Sequence, residues 1–165
     1  MSVYYFDASV VVKRYVNESG TARIRWLCFA RDEETNARLH RIIVGEISRV
    51  EVASAITRKA TKTKEISEQN AEASYKLFIA HLEDEYQVAL VSSVLLRFAA
   101  DLARKYSLRA YDAVQLAHAV QANNFLIEND LSLIFISSDK TLMQAAQAEG
   151  LPTENPDDHE PNSPR

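Results

Sequence analysis

Apolar residues along the chain follow two different spacings. Short continuous runs at residues 3–6 (VYYF), 41–44 (RIIV), 86–91 (YQVALV) and 132–137 (SLIFIS) are rich in β-branched and aromatic side chains and predict buried strands. Between them apolar positions recur every three or four residues, as in Ala71, Tyr75, Phe78 and Leu82 and again in Leu95, Phe98, Leu102 and Tyr106, which predicts amphipathic helices. Helices also fit residues 8–17, about 20–34, 46–63, 110–123 and 139–149. Strands separated by helices of a dozen or more residues need crossover connections, so a mainly parallel sheet covered on both faces, an α/β fold, is expected.

Composition narrows this picture. At 165 residues and 47% apolar content, the chain can bury one sizeable core and is short for two. One domain over residues 1–156 is expected, with residues 157–165 (DDHEPNSPR) as a disordered acidic tail. No apolar run approaches the roughly 20 residues of a membrane span, and the N-terminal pattern is not that of a secretory signal; a cytoplasmic protein without membrane partners is expected. Three glycines and no GxGxxG or GxxxxGK[ST] argue against dinucleotide and P-loop chemistry. Cys28 is the single cysteine and reads as a buried, inert thiol. His40, His81, His118 and His159 lack zinc-ligand spacing and are expected at the surface or its boundary. The formal charge of −4 is uneven, because residues 152–165 hold four acids and one base, leaving a nearly neutral body. If acids gather at one site, the rest of that body is net positive and open to a polyanion.

Four acids stand out. Asp7 and Asp139 each follow an apolar strand run and precede a helix; each is a natural N-cap. Glu51 has only Ile47, Ser48, Ser54 and Ala55 three and four positions away, so it has no basic partner within its helix. Asp112 sits at the edge of the stripe Ala113, Leu116, Ala117 and Val120, where the helix dipole or Arg109 could hold it. In open α/β sheets the carboxyl ends of the strands form one rim, and ligands bind where strand order reverses. Four carboxylates meeting there would repel one another unless a cation neutralised them. All-oxygen ligands favour Mg²⁺ or Mn²⁺.

The segments FDAS, SRVEVASAITRK, LRAYDAVQLAHA, ISSDKTLMQAA and EGLPTENP, in that order, together resemble the PIN-domain nucleases, in particular the VapC-like toxins of toxin–antitoxin pairs. The resemblance covers about residues 2–156. It implies a single PIN-like domain, with a central parallel sheet of four to five strands flanked by helices and the first and fourth strands adjacent. It places the family's acidic quartet on Asp7, Glu51, Asp112 and Asp139, as catalytic residues and ligands of Mg²⁺ or Mn²⁺. Its small hydroxyl positions fall on Ser9 and Ser137. The implied function is a metal-dependent endoribonuclease acting on RNA, assembled as a homodimer and restrained by a small antitoxin protein.

A basic track can be read beside these acids. Arg58 and Lys62 follow Glu51 by seven and eleven positions, about 10 and 16 Å along the same helix face. Lys13 and Arg14 follow Asp7 by about two turns, and all four are expected to contact phosphates. A phosphatase that begins with an aspartate after its first strand needs a second acid two residues on, where Ser9 stands. A phosphoacceptor receiver domain needs an acidic pair near that strand, where there is one acid. A PIN-like module that binds without cleaving is the remaining alternative.

Overall fold

The chain is described by a computed structural model over residues 2–159. Five strands form one all-parallel sheet: β1 (Ser2–Phe6), β2 (His40–Gly45), β3 (Gln87–Ala89), β4 (Leu133–Ile136) and β5 (Thr153–Glu154), in the order β3-β2-β1-β4-β5. The helices are α1 (Ala8–Tyr15), α2 (Thr21–Phe29), α3 (Ser48–Thr61), α4 (Glu68–Asp84), α5 (Ser93–Tyr106), α6 (Ala110–Ile127) and α7 (Lys140–Ala148). This is the single α/β domain expected, with β1 beside β4 and strand order reversing between them.

The period of two in β1 explains the layering. Tyr4 and Phe6, with Ile42, Val44 and Ile136, pack against α1–α4. Val3 and Tyr5, with Ile43, Leu133 and Phe135, face α5–α7. Both faces are therefore dry, as a parallel sheet requires. Several helices begin on side-chain caps: Asp7 accepts from the Val10 amide, Ser67 from Asn70, Ser92 from Leu95 and Asp139 from Leu142. Each meets one of the donors that a helix start leaves free.

Three expectations need correction. Residues 157–159, assigned to the disordered tail, are held against the body. Pro156–Asp158 forms a 3₁₀ turn, Asp157 pairs with Lys13 at 2.9 Å, and His159 lies 3.0 Å from Glu154. Gly20, at φ 77°, lets this turn approach, since a Cβ there would fall 2.7 Å from Asp157. Residues 160–165 lie outside the described residues. His118 is buried rather than at the boundary, and burial pushes its imidazole down to about 4, so it is neutral near pH 7. Finally, the run at 86–91 contributes only the three residues of β3 to the sheet. Cys28 is buried, with its thiol pushed up to about 11 by burial, as an inert cysteine should be.

Candidate active site

The register of β1 against β4 pairs Phe6 with Ile136, so the residues that follow, Asp7 and Ser137, leave the sheet side by side. Asp7 is buried. Its Oδ1 accepts from the Val10 amide at 2.9 Å and the Ser9 hydroxyl at 2.7 Å, and its Oδ2 accepts from the Ser137 hydroxyl at 2.5 Å. Ser137 in turn accepts from the Asp139 backbone amide at 3.0 Å. One hydroxyl thus ties the acid after β1 to the acid after β4.

At both positions capping coexists with a link to the other acid through Ser137. Asp7 caps α1 and Asp139 caps α7, yet Asp7 still has its carboxyl raised above the usual range. Burial drives the rise, its three hydrogen bonds oppose it, and Asp112 adds to it. Asp112, in the first turn of α6, is raised by burial and then by Asp139, against the opposing Arg109. Glu51, in the first turn of α3, is pushed up to about 7, mainly by burial; the Gln115 hydrogen bond opposes this, and Asp7 and Asp112 add to it. The acids thus raise one another: Asp112 acts on Asp7, Asp7 and Asp112 act on Glu51, and Asp139 acts on Asp112, where Arg109 opposes it.

Glu51 and Asp112 line a groove of about 540 Å³ between α3 and α6, together with Arg58, Arg109 and the half-exposed ring of Tyr111. A smaller recess of about 140 Å³ brings Asp112, Arg109 and Asp139 together. Asp112 belongs to both, so groove and recess meet at one carboxylate. The donors are all oxygen and short of positive charge, which fits a hard divalent cation. Among the described residues, however, no three acidic, His or Cys side chains are already drawn into a metal cage.

The basic track divides. Arg58 lines the groove wall, and Lys62 lies exposed at the end of α3. Lys13 and Arg14 do not join them, because α1 is covered by neighbouring helices. Lys13 is buried, bonded to the Ser19 carbonyl at 2.9 Å and paired with Asp157 and Glu18. Arg14 is buried against Phe29, Tyr86 and Tyr15 and paired with Glu85 at 2.7 Å. Both expectations of phosphate contact are corrected: these cations are already neutralised inside the fold. Conversely, Gln115, which donates to Glu51 at 2.5 Å, was not expected. Its signal was a lone amide inside the apolar run AVQLAHAV.

The domain has the PIN-like fold, with strand order reversing between β1 and β4. No protein-family model and no curated protein matches the chain. Among solved structures it resembles VapBC2 from Rickettsia felis, bound to a DNA fragment from their promoter, at 14% identity and a TM-score of 0.55, covering 93% of this chain and 98% of that one. It also resembles PAE2754 from Pyrobaculum aerophilum, at 14% identity and a TM-score of 0.57, covering 92% of this chain and 89% of that one. At such identity the likeness is one of fold.

Proposed function

We propose that the protein is a metal-dependent endoribonuclease and the toxin of a toxin–antitoxin pair. The observation that carries the reading is the placement of the acids about the reversal of strand order: Asp7 and Asp139 are joined through Ser137, and Glu51 and Asp112 line one groove with Arg58 and Arg109. The fold likeness to VapBC2 supports it. In this reading Asp7, Asp112 and Asp139, with Glu51 closing the shell, hold Mg²⁺ or Mn²⁺. When bound, the cation supplies the Lewis acidity that phosphodiester hydrolysis requires.

The chain's own residues do the rest. Ser9 and Ser137 fix the Asp7 carboxylate through its two oxygens. Glu51 orients the attacking water. Arg58 and Arg109 hold phosphates in the groove, Lys62 lies farther along the track, and the open face of Tyr111 suits an unpaired base better than a duplex. We further propose a homodimer, with the antitoxin occupying the groove of about 460 Å³ between α3 and α4 that Ile56, Ala60, Ala71 and Tyr75 line. Among the described residues no helix is long and apolar enough to cross a membrane, and a cytoplasmic setting is part of the proposal.

The test is cleavage of a mixed RNA pool with Mn²⁺ and with chelator, for the wild type and for Asp7→Asn, Asp112→Asn and Asp139→Asn, beside hydrolysis of a small phosphomonoester. Metal-dependent RNA cleavage lost in all three variants supports the reading. Cleavage that survives in Asp7→Asn, or turnover of the phosphomonoester instead of RNA, overturns it.

A further inference from the structure

The stretch Ala113–Val120 of α6 is buried throughout and contains two polar side chains, Gln115 and His118. A buried amide is costly unless its groups are paired. Gln115, 1% exposed, pairs all of them. Its Oε1 accepts from the Tyr5 hydroxyl at 2.6 Å, and its Nε2 donates to Ser48 Oγ at 3.0 Å and Glu51 Oε2 at 2.5 Å. The amide therefore spans three elements, β1, α3 and α6.

These bonds fix which way the amide faces. Turned over, it would set its oxygen against the Glu51 carboxylate and leave the Tyr5 hydrogen without this acceptor. Tyr5 reaches its place because residue 45 is glycine. A Cβ there would lie 2.6 Å from the Tyr5 hydroxyl and 2.8 Å from the His118 ring. Glu51 has no basic residue three or four positions away on α3, and among the described residues it accepts no other side-chain hydrogen bond. Gln115 is too deeply buried to touch a substrate in the groove.

We propose that Gln115, locked by Tyr5, is the positioning residue that fixes the direction of the Glu51 carboxylate. The proposal rests on the nuclease reading for its kinetic consequence, but the contact acts on the carboxylate whatever the substrate. Losing a hydrogen bond to a charged group corresponds to roughly ten- to hundredfold in rate.

The experiment measures kcat and KM on RNA for Gln115→Leu and Tyr5→Phe, and the Mn²⁺ dissociation constant for Gln115→Leu, Glu51→Gln and the double variant. Gln115→Leu should lower kcat about ten- to hundredfold with KM changed less than twofold, and Tyr5→Phe should do the same to a smaller extent. Gln115→Leu should weaken Mn²⁺ binding about tenfold when Glu51 is present and less than twofold in the Glu51→Gln background. Equal Mn²⁺ effects in both backgrounds, or a changed KM with kcat intact, would make Gln115 a packing residue and overturn the proposal. If the wild type cleaves no RNA, the nuclease reading falls, and the Mn²⁺ comparison alone decides the positioning role. If Gln115→Leu does not fold, Tyr5→Phe, which removes a single oxygen, replaces it in the same comparison.

Discussion

Glu51→Gln isolates the cost of holding a charged carboxylate at this position, which burial sets first and Asp7 and Asp112 add to. The substitution removes a charge, nearly keeps the shape, and leaves an oxygen able to accept from Gln115. In the native state Glu51 is raised from 4.5 to about 7. Between those values the unfolded chain ionises this residue while the folded protein resists, so native stability falls as pH rises through the window and levels off above about 7. At 1.36 kcal/mol per pKa unit the rise corresponds to roughly 3 kcal/mol, or about 2 kcal/mol once water at this half-buried carboxylate is allowed for. In chelator at pH 8, Glu51→Gln should therefore be about 2 kcal/mol more stable than the wild type. For a domain of this size that is a melting temperature higher by roughly 4–8 °C. The gap should close near pH 4.5. His118, lowered to about 4, destabilises the native state in the opposite direction as pH falls from 6.5. It does so in both proteins, and the difference between their curves removes it. Saturating Mn²⁺ should narrow or reverse the gap, because a cation bound to the native state stabilises the intact acidic set more. Thermal melts across pH 4.5–8, with chelator and with Mn²⁺, provide the measurement. A variant no more stable than the wild type at pH 8, or a gap that persists at pH 4.5, would refute a Glu51 carboxyl raised by burial and its acidic neighbours.

Asp7→Asn should abolish cleavage and the Mn²⁺ response in melts while changing the chelator melting temperature less than Glu51→Gln does. Asn still caps α1, but its amide group cannot accept the Ser137 hydrogen, which offsets the relief of charge. Arg58→Ala should raise KM for RNA and reduce the salt slope of binding by about one, with kcat nearly unchanged; an unchanged slope would remove Arg58 from the track. Glu85→Ala leaves Arg14 buried without its carboxylate and should cost roughly 3 kcal/mol in urea unfolding, without moving the kcat of the folded fraction. Asp157→Ala should lower stability by about 1 kcal/mol through Lys13, whereas a surface turn unattached to the body would give no change.

The strands and helices were readable because periodicity is a local property. The first and fourth strands came out as neighbours because the motifs carried that arrangement, not because spacing could. The two-residue β5 is too short for any period to register. At the site, the acids were legible as charges that interrupt apolar patterns. Lys13 and Arg14 were misread because their partners, Asp157 and Glu85, lie 144 and 71 residues away in sequence, and no helix wheel contains them. Gln115 and His118 were visible as polar letters in an apolar run, but their destinations depend on which strand α6 covers. Nothing in the local sequence marks Gly45 as the place where the Tyr5 hydroxyl stands in for a side chain.

The bond from Ser137 to Asp7 joins residues 130 positions apart, and it lies at the seam where the last-made half of the sheet closes on the first strand. A fragment of the chain that ends after α3 contains β1, α1 and β2 and carries Asp7 and Glu51 without β4. Such a fragment has half of the acidic set and no partner for the Asp7 Oδ2. Assembly of the four acids therefore needs the longest-range strand pairing in the domain.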